Sequence, residues 1–100
     1  MALSEAQKKY LRGLGHQLKP VIMIAGAGLS EAVAKEYELA ITHHELIKVS
    51  VRIGDRTVRG EIIEKLCSDG KTELVQRIGN MALVYRENPE KQKRIRLPNR

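Results

Sequence analysis

The chain contains no Phe and no Trp, and its aromatic residues are three tyrosines, Tyr10, Tyr37 and Tyr85. Single-strand binders of the RRM or OB type stack bases on several surface aromatics, so recognition by stacking is not expected here. Cys67 is the single cysteine, which rules out an intrachain disulfide framework and a multi-cysteine zinc site. No apolar run approaches the roughly 20 residues that cross a bilayer. The opening MALSEAQKKYLRGLG lacks the continuous apolar stretch of a secretory leader. A reducing cytoplasm is therefore the expected location, with no membrane partner.

What is present is positive charge on a globular background. Hydrophobic residues make up 42% of the 100 positions and charged residues 30%, which is too apolar for a disordered chain. A chain of this length forms one domain, residues 1–100, with a modest core and little room for a deep catalytic cavity. Eighteen Lys and Arg against twelve Asp and Glu give a net charge of +6. Such a surface attracts polyanions, of which nucleic acid is the commonest in a cytoplasm. With no stacking platform, phosphate and shape recognition is the expected mode. The plainer alternative is a small soluble protein that happens to be basic.

Periodicity predicts the order α-β-α-β-α-β-β. Ser4 and Gln7 have the spacing of a capping box, and Leu3, Ala6, Tyr10 and Leu14 recur at helical intervals until Gly13 and Gly15. The run Val21 to Ala25 reads as a strand buried on both faces. After Gly26-Ala27-Gly28, Ser30 can cap a second helix whose apolar stripe is Leu29, Val33, Tyr37, Ala40 and Ile41. Ile47, Val49 and Val51 alternate with Lys48, Ser50 and Arg52, predicting a strand with one buried and one basic face. Gly54-Asp55 turns into a third helix carrying Val58, Ile62, Ile63 and Leu66, ending near Asp69-Gly70. Strands at about 73–78 and 81–85 flank Gly79-Asn80, a two-residue hairpin turn. The segment 91–100 holds five basic residues, and Ile95, Leu97 and Pro98 suggest an added extended edge. A strand, a helical crossover and a second strand predict a parallel pair with right-handed connection.

Two constellations could bind an anion. Gly26-Ala27-Gly28 leads into a helix N-terminus, where free amides and the helix dipole favour a phosphate; a tight turn alone would also favour glycine. Lys48, Arg52, Arg56 and Arg59 form a basic stretch in which Asp55 is the one acid. Lys8, Lys9, Arg12, Lys19 and the tail residues Lys93, Arg94 and Arg96 could extend it into a track for a phosphate backbone, or could simply be a solvated face. The glycine loop is not a dinucleotide fingerprint, because Glu31 stands where the last glycine would be, and no G-x-x-x-x-G-K loop exists. His43, His44 and Glu45 lack metal-ligand spacing, and neither Cys67 nor the pair Glu61 and Glu64 has a partner that would make it catalytic. No metal, cofactor or small-molecule substrate is implied, and the expectation is a protein that is not an enzyme.

The segments LKPVIMIAGAGLSEAV, HHELIKV, LVQRIGNMALVYR and the basic RIRLP, in this order and spacing, resemble the YhbY family, the stand-alone bacterial form of the CRM (chloroplast RNA splicing and ribosome maturation) domain. The similarity runs over about residues 3 to 98. It implies an α/β two-layer sandwich with a mixed four-stranded sheet, resembling the C-terminal domain of bacterial translation initiation factor three. It also implies RNA binding, with bacterial members associated with precursors of the large (50S) ribosomal subunit. The family's G-x-x-G loop falls on Ala25, Gly26, Ala27 and Gly28, so alanine replaces the first glycine. The expectation is a monomeric assembly factor that binds pre-ribosomal RNA. Its rivals are a DNA-coating chromatin-type protein, an enzyme acting on RNA through Glu61 or His44, and a protein adaptor using the acidic stripe of the second helix.

Overall fold

In the computed structural model, which describes residues 2–26 and 28–99, the seven helices and strands of the order α-β-α-β-α-β-β all form, in that order. The chain runs α1 (Glu5–Gly15), β1 (Pro20–Ile24), α2 (Glu31–His44), β2 (Leu46–Val51), α3 (Arg56–Gly70), β3 (Glu73–Ile78) and β4 (Met81–Tyr85). One mixed sheet has the order β1-β2-β4-β3. β1 and β2 pair in parallel, and the other two neighbours are antiparallel.

The helix starts follow from their capping residues. Ser4 and Gln7 form the reciprocal capping box at α1. Ser30 accepts the Val33 amide at α2, and the Asp55 carboxylate accepts the amides of Thr57 and Val58 at α3. Lys71, in the left-handed region at φ 53°, ends α3. The hairpin between β3 and β4 takes its one positive φ at Gly79, not at Asn80.

The sheet is covered on both faces. On one, α2 and α3 place Tyr37, Ile41, Ile63 and Leu66 against Ile22, Ile24, Ile47, Val49, Val51, Ala82 and Val84. These two layers form the main sandwich. On the other face, α1 and the C-terminal segment add a smaller layer, packing Leu3, Leu11, Ile95 and Leu97 on Leu46, Val75, Leu83 and Tyr85. Fully burying an aliphatic side chain of this size contributes about 1.5–3 kcal/mol, so the larger cluster supplies most of the cohesion.

Four expectations need correction. The buried face of α1 is Gln7, Leu11 and Gly15, which leaves Tyr10 and Leu14 about 40% exposed. Leu11 and Gly15 fit closest to the sheet: a Cβ on Gly15 would lie 2.5 Å from Leu83 Cδ2. β1 is buried on one face only, because it is an edge strand whose Val21 and Met23 project beyond α1. The Lys48–Ser50 face of β2 is not a basic surface; α1 covers it, and Ser50 is buried. The C-terminal segment forms no strand.

That segment is held instead by a buried carboxylate. Glu45, fully buried at the end of α2 with φ 65°, accepts the Asn88 amide at 2.8 Å through Oε2 and the Ile95 amide at 2.8 Å through Oε1. Its backbone oxygen accepts the Arg86 amide, and Gln7 Nε2 fixes the Pro98 carbonyl at 3.1 Å. Nearby, Arg86 donates to Glu38, Thr42 and the Gly70 carbonyl, and the hydrogen bonds and charge of the Arg86 guanidinium on Glu38 hold that carboxyl below the usual carboxylate range. Replacing Glu45 by Ala leaves two backbone donors without acceptors. The expected loss is about 2 to 4 kcal/mol in urea unfolding, together with faster hydrogen exchange at the Ile95 amide; unchanged exchange there would refute the clamp.

Candidate functional site

Because β1 and β2 are parallel, their carboxyl ends lie at the same edge of the sheet, and three connections meet there. The turn after β1 closes with the Gly28 amide donating to the Ala25 carbonyl at 2.7 Å. Gly28 has φ 74°, a conformation that favours glycine, whereas Gly26 has no positive φ. Of the expected loop residues, Ala27 lies outside the described residues. After β2, the Arg52 amide donates to the Ile24 carbonyl at 2.7 Å, which sets Arg52 beside the start of that turn. The Val51 amide donates to the Asn80 carbonyl at 2.7 Å, bringing the β3–β4 hairpin to the same edge.

The N-termini of α2 and α3 both open on this edge, so the positive ends of two helix dipoles accompany the arginines. The first turn of α3 carries no acid, and Asp55 spends its carboxylate on the Thr57 and Val58 amides. Arg56 and Arg59 occupy this first turn, where cations oppose the dipole. The ion pairs among the described residues leave out Arg52, Arg56, Arg59 and Arg77.

Arg77 was not singled out in the sequence. Strict alternation from Leu74 would send it to the α1 side of the sheet. A bulge between Leu74 and Gln76 resets the alternation, so that Arg77 pairs with Ala82 and turns onto α3. There its Nη2 donates to the Arg56 carbonyl at 3.4 Å, and its Nη1 lies 3.1 Å from where a Cβ on Gly60 would be. Arg56, Arg59, Arg77 and Gly79 line an open concavity of about 350 Å³. The sequence signal was Gly60 itself, a glycine inside a helix that marks a close approach.

The remaining basic residues do not join this edge. Lys19 stands at the other end of β1, about 17 Å along the strand. Lys48 does not share a face with Arg52, which lies beyond β2; it is half-buried and lines a hollow under α1 with Gly15, His16 and Leu83. Lys8 and Arg12 lie one turn apart on α1, and Lys93, Arg94 and Arg96 lie on the segment packed beside it. Arg94 faces Glu87 at 3.6 Å. The expected single track is therefore an arginine edge and a separate basic surface on the α1 side.

The other side chains with chemistry are dispersed. His43 and His44 are exposed and pack edge to face with each other, and Glu61 is exposed on α3. Among the described residues no group of three or more His, Cys, Asp or Glu could hold a metal ion. Burial pushes the Cys67 thiol above its ordinary range, which opposes thiolate chemistry. Tyr37 and Tyr85 are buried, leaving Tyr10 as the exposed aromatic; burial, with the neighbouring Glu45 carboxylate, pushes the Tyr85 hydroxyl up to about 12.

Comparison with known proteins places this geometry in context. Residues 3–86 match the CRS1 / YhbY (CRM) domain. A probable RNA-binding protein of Pseudomonas aeruginosa is 46% identical over 95% of this chain and 91% of its own length. An RNA-binding protein of Haemophilus influenzae is 44% identical, with 98% and 97% of the two chains covered. The solution structure of a hypothetical protein from Staphylococcus aureus superposes with a TM-score of 0.82 at 37% identity, over 97% of this chain and all of that one.

The two loop glycines differ in a testable way. Gly28→Ala forces an L-residue into the left-handed region and is expected to cost about 1–2 kcal/mol in chemical denaturation. Gly26→Ala adds a methyl group with nothing within 4 Å and no positive φ, so its cost is expected to stay within about 0.5 kcal/mol. Equal costs would show that the turn is not built as described.

Proposed function

The chain belongs to the CRS1 / YhbY (CRM) domain family, and from that membership we propose that it is a monomeric, non-enzymatic RNA-binding protein of the cytoplasm that acts on precursors of the large ribosomal subunit. The observation that carries RNA binding is the arginine edge. Arg56, Arg59 and Arg77 line one concavity, and Arg52 stands beside the turn after β1 at the same end of the sheet, without ion-pair partners among the described residues. Relatives described as RNA-binding proteins support the reading. The large-subunit part rests on the family resemblance.

Recognition is by backbone and shape. The deep groove of A-form RNA hides base edges from side chains, and this protein offers guanidinium groups with one exposed tyrosine, Tyr10, in place of a stacking platform. Arginine forks match the paired oxygens of a phosphate. The turn at Gly26–Gly28 lets the RNA backbone approach the N-terminus of α2. Lys8, Arg12, Lys93 and Arg96, on the α1 side, form a second contact available to a folded RNA that wraps around the domain.

About 4 to 6 neutralised phosphates give an expected log–log salt slope of roughly −3 to −5. Replacing Arg52 and Arg56 together by Ala is expected to lower the magnitude of that slope by about 2 while leaving the melting temperature near that of the parent chain. A salt-independent affinity would sink the electrostatic account. In cells, sucrose-gradient sedimentation with ultraviolet crosslinking is expected to find the protein on particles lighter than the mature large subunit, crosslinked to large-subunit rRNA. Scattered crosslinks from the top of the gradient would remove the assembly role, and preference for duplex DNA at fixed salt would replace RNA with DNA.

A further inference from the structure

We propose that Arg56, Arg59 and Arg77 form a built pocket for a single phosphate group of the bound RNA; this rests on the RNA-binding reading and names the part of the surface that grips one defined point of the ligand. The first ground is convergence. Two arginines from the first turn of α3 and one from β3 line one concavity of about 350 Å³. That volume exceeds what one anion needs and leaves room for the adjoining ribose.

The second ground is an unfilled donor. Arg59 Nε is shielded from solvent and has no hydrogen-bond partner among the described residues. A charged donor withdrawn from water without an acceptor is costly, and such groups in folded proteins are almost always paired. No carboxylate of the described residues forms an ion pair with any of the three arginines. The counter-charge for the three guanidinium groups would come from an anion outside the chain, which reaches Arg59 Nε by the side chain turning from its shielded position.

The third ground is that the backbone makes room for the arrangement. The β3 bulge turns Arg77 toward α3, and the bare Cα of Gly60 seats its guanidinium. Gly79 lines the same concavity with open space where a Cβ would project, so a ligand can approach the hairpin closely. Three planar forks offer more donors than a carboxylate can accept, which favours the tetrahedral oxygens of phosphate. The phosphate has two possible sources, an internal phosphodiester with two non-bridging oxygens and a terminal phosphate with three, and both present such oxygens to the guanidinium forks.

The test is an NMR titration of the full chain that follows the Arg59 Nε–H resonance. Inorganic phosphate is added first, then an RNA hairpin with a 5′-hydroxyl, then the same hairpin carrying a 5′-phosphate. Phosphate is expected to shift Arg59 Nε–H at millimolar concentration. A matching shift with the 5′-hydroxyl hairpin identifies an internal phosphodiester, and a shift confined to the 5′-phosphorylated hairpin identifies a chain end. Arg77→Ala is expected to abolish the shift, weaken RNA binding about tenfold, and reduce the salt slope by about 1. Arg77→Lys keeps the charge without the fork and is expected to recover only part of the affinity. An Arg59 resonance that ignores both phosphate and bound RNA overturns the pocket while leaving RNA binding elsewhere intact. So does an Arg77→Ala variant with full affinity and an unchanged slope. Failure of the parent chain to bind RNA at low salt would overturn the RNA reading and this ligand with it.

Discussion

Two parallel strands cannot be joined by a tight turn; they need a crossover, and here α2 supplies it between β1 and β2. Both strands then end at one edge of the sheet, and the helix that follows each strand starts there. The antiparallel pairing of β4 with β2 returns the Gly79–Asn80 hairpin to the same edge. So the two helix starts, the left-handed Gly28 and the Arg52–Arg59 segment are brought to one end of the sheet through topology alone. Were β1 and β2 antiparallel, α2 would start at the opposite end, and the arginines would face a single helix terminus.

The two ends of the molecule treat arginine in opposite ways. At the end where α2 finishes, Arg86 donates to two Glu38 oxygens, to Thr42 and to the Gly70 carbonyl. Tyr37 and Thr72 share a 2.6 Å hydrogen bond, and Glu45 holds two amides of the C-terminal segment. The Arg86 guanidinium there is taken up by the fold. At the other end, Arg56 and Arg59 have no ion-pair partner among the described residues, and Arg77 makes one 3.4 Å bond to a carbonyl. The same side-chain type is structural in one place and unspent in the other, and the difference lies in the acceptors around it.

Much of this was readable in the sequence. The seven elements, the Ser4, Ser30 and Asp55 starts and the hairpin at Gly79 follow from capping, alternation and turn chemistry, which act over a few residues. What failed depended on contacts made across the sheet. The face of α1 was misplaced by one residue because Gly15 and Gln7, neither hydrophobic, make its closest contacts with the rest of the protein. Lys48 was read as solvent-facing because α1, more than thirty residues earlier in the chain, covers its side of β2. Arg77 was missed because a bulge has no local signature and reverses the face on which every later residue falls. Glu45 looked like a companion to two histidines, and only the path of the C-terminal segment reveals the amides it serves.

The start of α3 differs from those of α1 and α2 in having no acid within its first turn, although the Asp55 carboxylate caps it. α1 and α2 place Glu5 and Glu31 in their first turns, where an acid complements the helix dipole. α3 places Arg56 and Arg59 there, admits Gly60 at a cost of about 1 kcal/mol against alanine, and gathers Arg77 on top. None of these choices favours the isolated fold, and like charges at the positive end of a dipole oppose it. Departures from local consistency concentrate where a site is made for something other than stability. An anion entering this edge offsets the electrostatic terms among these. Charges that repel each other in the free protein would then share one counter-charge, and the helix dipole that opposed them would favour the ligand.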